Sequence, residues 1–381
     1  MDDARLKRFR AEFPVTERYV YLNHAAIAPL PRRSAERVAV LAHTVARTGD
    51  RLWPERNEVI ESVRGLAARL LGARHPHEVA FVENTSTALS FAAQGLDWRP
   101  GDNVVSAAGE FPSNAYPWMQ LADRGVDYRI APERGGRIEE DELLSLVDQR
   151  TRVVALSWVE YANGFRFDLA RIGAFCRQRG VLFVVDAIQG LGGLALDVEK
   201  AGVDVCAAAA HKWLLGPEGI GLLYIADRAV ESLRPVRSGW RSMRDKLRWT
   251  ELAIDWGPGA KRHESGTLNA FGIYALGGAL ELLLEAGAAA VEERVLALAD
   301  RAARGLADLG LEVVSSRRPA ETSGIVTAVH PRAAADDLVR RLIDRGVVVA
   351  ERAGRLRVSA HFYNTEDEVD RMLAELARLV A

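Results

Sequence analysis

The sequence predicts an α/β fold built on a mostly parallel seven-stranded sheet, with a small α+β unit at the C-terminal end. Three observations lead there. Seven short apolar segments alternate with helical patterns between about residues 79 and 225, the pattern changes after about residue 270, and prolines interrupt the chain before about residue 50.

The seven segments are VAFVE, NVVSAA, VDYRIA, RVVALSWVEY, VLFVVD, VDVCAAAA and GIGLLYI. Each is a short apolar run bounded by turn residues, as buried strands are. Amphipathic patterns such as SNAYPWMQLADRG and DLARIGAFCRQRG lie between them, the second framed by Asp168 as helix cap and Gly180 as stop. Strands joined through helices form a parallel sheet with helices on both faces. After residue 270 two helices, GIYALGGALELLLEAG and AAAVEERVLALADRAARGLADLG, lead into the strands LEVVSS, GIVTAVH, VVVAE and RLRVSA. We therefore expect a large domain over 51–270 and a small one over 271–381. The remaining segment, 1–50, contains YLNHAAIAPLP, whose prolines deny it regular structure, and is expected to pack over the active site.

With 381 residues, 49% hydrophobic and 27% charged, the chain can bury a substantial core, and its length suits one large domain plus a smaller one. A formal charge of −2 gives no electrostatic basis for nucleic acid as a partner. There is no apolar run of about 18 residues, and the N-terminal MDDARLKRFRAEFP is charged, so no membrane partner and a cytoplasmic location are expected. Cys176 and Cys206 sit in apolar patterns without metal-ligand spacing, so no metal is expected. Both read as small buried residues.

Of the 50 lysines and arginines only Lys7, Lys200, Lys212, Lys246 and Lys261 are lysine. Arginine stays protonated and cannot form an imine, so amine chemistry has five candidates. Lys212 stands apart in VCAAAAHKWLLGPEGIGLLYI, at the end of an apolar strand where desolvation lowers an amine's pKa. A lysine that buries its stem and keeps its head in water explains the same letters. Twenty-six residues earlier Asp186 ends the strand VLFVVD, and open α/β sheets bind ligands at such carboxyl ends. A carboxylate there can keep a pyridine nitrogen protonated, the condition under which pyridoxal phosphate withdraws electrons. Turn formation or helix capping is the alternative. Gln189, three residues on, can donate to the cofactor's phenolic oxygen. Asn84, Thr85, Ser86 and Thr87 lie between a strand and a helix, where free N–H groups and hydroxyls suit a phosphate but also suit ordinary capping.

Together these segments resemble the class V aminotransferase family, the fold-type I pyridoxal phosphate group that includes cysteine desulfurases, kynureninase and isopenicillin N epimerase. The resemblance runs from YLNHAA to RVSAHFYNTEDEVDRM and is most specific at DAIQG and HKWLLGPEGIG. It implies that Lys212 carries pyridoxal phosphate and that Asp186 pairs with the pyridine nitrogen. It further implies that His211 and Gln189 contact the ring and that Thr85 and Ser86 hold the phosphate. Phe111, in GEFPSNAYPW, falls where the family stacks an aromatic ring on the cofactor; many members have histidine there, and phenylalanine moves no protons. Arg357 falls where the family binds the substrate's α-carboxylate, and His24, Asn23, Tyr161 and Asn163 are further candidates on the substrate side. KRHESGTLN resembles the loop that reaches the neighbouring subunit's phosphate through Thr267, which implies a homodimer with active sites near the interface.

Two departures from the family pattern matter. Ala207–Ala210 replaces the hydroxyl residue that often precedes the His-Lys pair, and VVVAERAGRLR lacks the mobile-loop cysteine of the desulfurases. The second argues against a persulfide-forming desulfurase. An aminotransferase-like or lyase reaction at the α-carbon of an amino acid is expected, with epimerisation as the alternative. A cofactor-binding protein without turnover is the contrasting class.

Overall fold

The computed structural model describes residues 1–247, 250 and 252–380. Its seven apolar segments form one sheet: β1 (Val79–Val82), β2 (Asn103–Ala107), β3 (Asp127–Ala131), β4 (Thr151–Ser157), β5 (Leu182–Asp186), β6 (Val205–Ala209) and β7 (Gly221–Ile225). The spatial order is β1-β7-β6-β5-β4-β2-β3. All neighbours are parallel except those of β7, which runs antiparallel to both β1 and β6. Residues of β5 and β6 are buried almost throughout, which explains why they read as continuous apolar runs rather than alternating ones.

Helix Leu169–Arg179 has the expected ends: the Asp168 carboxylate accepts from the Arg171 N–H, and Gly180 adopts φ +66°. The pattern SNAYPWMQLADRG gives a shorter helix than it suggests, Pro112–Met119, followed by a 3-10 turn over Gln120–Arg124. Pro117 lies inside that helix and removes a backbone donor.

Helices Ala270–Ala286 and Ala288–Asp308 meet at an 85° bend at Gly287. No single helix among the described residues is long and apolar enough to cross a membrane. A second sheet follows, with β8 (Glu312–Val313), β9 (Ile325–Val329), β10 (Ala350–Arg352) and β11 (Arg355–Ser359) in the order β8-β9-β11-β10. The segment VVVAE is not one strand as expected. Val347–Val348 pairs in parallel with Val20–Tyr21, and only from Ala350 does the chain join the second sheet. The start of YLNHAAIAPLP is therefore a strand, because its prolines, Pro29 and Pro31, come too late to interrupt it. Beyond that strand the chain crosses to the large sheet, where the Ala28 N–H donates to the Lys212-adjacent carbonyl of His211 at 2.7 Å.

Candidate active site

The carboxyl ends of β5 and β6 open into a cavity of about 310 Å³. It is lined by ten of the residues singled out in the sequence: Asn84, Thr85, Ser86, Phe111, Tyr161, Asp186, Gln189, His211, Lys212 and Arg357. Chain topology accounts for the convergence, since β4, β5 and β6 are neighbouring parallel strands whose following loops all open on one edge.

Lys212 follows β6 in a tight turn closed by the Leu215 N–H on the Lys212 carbonyl at 2.9 Å. Leu215 holds φ +57°, a left-handed conformation costly for a branched side chain, and it is fully buried by the surrounding core. That packing fixes where the lysine points. Burial lowers the amine to about 8, opposed by the charge of Asp186 and assisted by those of Arg357 and Arg352. A substantial neutral fraction is therefore present near pH 7–8, as a nucleophilic amine requires.

Asp186 ends β5, with one carboxylate oxygen accepting from the Ile188 N–H at 2.9 Å. Burial raises it to about 6, and Lys212 is the cation that offsets the shift. Behind it sit two acids that sequence reasoning missed. Glu110 accepts from the Ser157 N–H at 2.5 Å, the Ser157 hydroxyl at 2.6 Å and the Asn114 amide at 2.9 Å. Burial first, and then Asp186, push Glu110 up to about 8. Glu160 is buried with neither carboxyl oxygen hydrogen-bonded among the described residues, and burial holds it well above the usual carboxylate range. Asp186 is the member of the trio that faces the cavity.

The helix Thr85–Gly95 points its N-terminus at the same space, capped by Asn84, whose side chain accepts from the Thr87 N–H. The Thr85 hydroxyl accepts from the Ala209 N–H at 2.9 Å and keeps its own proton to donate. This tie uses the backbone of the alanine run where a hydroxyl side chain had been looked for. Ser86 shares a hydrogen bond with Ser113 at 2.7 Å, and Ser113 also lines the cavity. Ser113 was missed, although Pro112 at the first turn of a helix was a signal that a second helix begins there.

Gln189 bridges the Ala25 carbonyl (3.1 Å) and the Trp213 indole (3.1 Å), tying the N-terminal segment to the loop that carries Lys212. Phe111 meets Tyr161 edge-on with ring centres 5.1 Å apart. Arg357 is buried, and one terminal nitrogen donates to the Tyr161 carbonyl at 3.0 Å. Its Nε and Nη2 are buried without a partner among the described residues, and burial lowers its pKa to about 9. An unpaired buried guanidinium is costly, so a ligand anion in the cavity fits it.

Four residues expected at the cofactor or the substrate do not line this cavity. His24 is buried with one ring nitrogen on the Ser359 carbonyl (2.9 Å) and the other on the Tyr363 hydroxyl (2.7 Å), so both its polar atoms are occupied. Asn163 closes a turn, accepting from the Phe165 N–H and donating to the Gly136 carbonyl. Thr267 lines a separate cleft with Glu83, Arg237 and Asn269. Asn23, considered with His24, has its buried side-chain oxygen unpartnered among the described residues and is not on the cavity wall. Arg352, absent from the sequence reasoning, is.

The residues present fit pyridoxal phosphate. The fully buried Asp186 is offset by a single lysine and suits a pyridinium nitrogen, Thr85, Ser86 and the helix N-terminus suit a phosphate, and Lys212 is an amine with a lowered pKa.

A family model described as aminotransferase class-V matches residues 20–372. Cysteine desulfurase of Cronobacter sakazakii is 31% identical, over 98% of this chain and 98% of that protein. The cysteine desulfurase CsdA of Escherichia coli superposes with a TM-score of 0.87 at 25% identity, over 98% of both chains. The cystine C–S lyase C-DES, solved with cysteine persulfide, superposes with a TM-score of 0.88 at 26% identity, over 96% of this chain and 99% of that one.

Proposed function

The chain belongs to the class-V aminotransferase family and is a pyridoxal phosphate enzyme, and from that premise we propose that it is a lyase that removes the α-proton of an amino acid and expels a substituent from the β-carbon. The observation that carries this reading is the meeting, in one cavity, of a desolvated lysine, a buried carboxylate and a buried guanidinium with a free edge.

When bound, pyridoxal phosphate supplies the electron sink for charge left at the α-carbon. Asp186 would hold a proton on its pyridine nitrogen. Thr85 and Ser86, with the N–H groups of their helix, would hold its phosphate, and Phe111 would offer it an aromatic face. Lys212 would carry it, and the free Lys212 amine would be the base at the α-proton. Arg357 offers Nε and Nη2 to the α-carboxylate and so fixes which bond is presented for cleavage.

Elimination is favoured over routes that need a protein thiol. The chain's two cysteines, Cys176 and Cys206, are buried, burial raises both thiols well above the usual range, and neither lines the cavity. Epimerisation is less well supported, because Phe111 has no proton to return to the α-carbon. Thr267 stands away from the cavity in its own chain, which supports a homodimer in which it serves the partner's phosphate.

A panel of amino acids added to the purified holoenzyme tests the reaction, with keto-acid release, cofactor absorbance and substrate chirality followed together. Catalytic keto-acid release without an amino-group acceptor, retained when Cys176 and Cys206 are both alanine, is expected. Release limited to one equivalent until an acceptor keto acid is added would establish transamination, and racemisation without release would establish epimerisation.

A further inference from the structure

We propose that Arg352 gives this site a second anion-binding group, so that the amino acids it takes carry a negatively charged group on a short side chain. The inference rests on reading the cavity as an amino-acid site.

The geometry comes from a tight hairpin. Ala353 and Gly354, at φ +52° and +75°, form the two-residue loop between β10 and β11, and Arg352 pairs directly with Arg355 across it. Arg357 pairs with Ala350. Because side chains alternate along a strand, Ala350, Arg352, Arg355 and Arg357 share one face of the hairpin. The methyl group of Ala350 opposite Arg357 leaves room on that face. Arg352 stands diagonal to Arg357, within reach for long side chains, and both line the cavity.

Among the described residues, neither guanidinium has a carboxylate partner. Arg352 donates to the backbone carbonyl of Glu351 at 2.6 Å rather than to a carboxylate. The Glu351 carboxylate, the acid that acts on Arg357, accepts from the Gly354 N–H at 2.6 Å and braces the loop. Arg352 and Arg357 repel one another and both weigh on Lys212. Like charges on one partly desolvated wall are stabilised by ligand anions.

One α-carboxylate does not use both. Arg357 alone presents two free nitrogens, Nε and Nη2, a complete fork for a single carboxylate. The cofactor's phosphate would be held at the Thr85 and Ser86 end. Arg352 is therefore left for a third anion, on the substrate's side chain. A cavity of about 310 Å³ is near the lower end of ligand pockets, roughly 300–1,000 Å³, and cofactor and substrate would have to share it, so that side chain is short.

The test uses the holoenzyme and unreactive acids, with calorimetry as the readout. The wild type should bind succinate or glutarate about tenfold or more tightly than propionate or butyrate. In Arg352→Gln that preference should fall to within about twofold, with Arg352→Lys intermediate, while cofactor affinity from a spectral titration stays near the wild-type value. Equal binding of mono- and dicarboxylates by the wild type overturns the proposal, as does a preference that survives in Arg352→Gln. So does a variant that loses cofactor instead, which would assign Arg352 to the phosphate. Failure of the wild type to bind any of these acids would overturn the amino-acid reading itself.

Discussion

The Nζ atom of Lys212 lies 5.6 Å from the centre of the Phe111 ring, so the amine expected to carry the cofactor faces the aromatic surface expected to cover it. The ring is held at this angle by its edge-on contact with Tyr161. Phe111→Ala removes a stacking surface without touching a hydrogen bond. Stacking of this kind contributes about 0.5–1.5 kcal/mol beyond area burial, so cofactor affinity should fall roughly two- to tenfold. Equilibrium titration of the apoprotein measures it. An unchanged dissociation constant would mean that the ring does not lie on the cofactor.

Asp186→Asn keeps the shape of the carboxylate but cannot hold a positive charge on a pyridine nitrogen. The variant should still bind cofactor and lose most of its turnover per bound cofactor. If it lost binding while each bound cofactor remained fully active, Asp186 would be a structural residue at the end of β5.

The lowered pKa of Lys212 sets a pH dependence. Only the neutral amine attacks an aldehyde, so capture of pyridoxal phosphate by the apoprotein should accelerate about tenfold per pH unit below about 8 and level off above it. An ordinary lysine would keep accelerating to about pH 10.4. Asp186 holds the lysine pKa up, and Arg357 and Arg352 hold it down. Asp186→Asn should therefore move the break to lower pH, and Arg352→Gln to higher pH. A break that stayed near 10 in stopped-flow absorbance would place the amine in water.

Most of the large sheet was legible because its strands are buried on both faces and read as apolar runs, and the ends of β5 and β6 pointed to Asp186 and Lys212. Their spatial order was not, since β7 reverses direction without any local signature. His24 and Asn163 lie off the cavity wall, because a polar letter in a loop says nothing of its direction. Asn163 folds back on the Phe165 N–H, and His24 is drawn into a cluster with Tyr363. Arg352 was legible in principle: RAGR is a two-residue hairpin, and folding it puts Arg352 and Arg357 on one face. Glu110 and Glu160 were hidden because nothing in one dimension shows that three separate loops bury their acids together.

Arg357→Lys keeps the charge but loses the fork. Losing one of two charged hydrogen bonds costs about 1.5–3 kcal/mol, so kcat/KM for the best amino acid should fall roughly tenfold to a hundredfold while cofactor loading is unchanged. An amine lacking the carboxylate is the control and should be a poor substrate for both forms. If the amine is processed as well as the amino acid, the carboxylate is not held by Arg357.

Borohydride reduction of the holoenzyme followed by peptide mapping tests most directly whether Lys212 carries the cofactor. The yellow absorption should vanish, and the reduced pyridoxyl group should be found on the peptide containing His211, Lys212 and Trp213, with no label in Lys212→Ala. A pyridoxyl group recovered instead on Lys200, Lys246 or Lys261 would contradict the account.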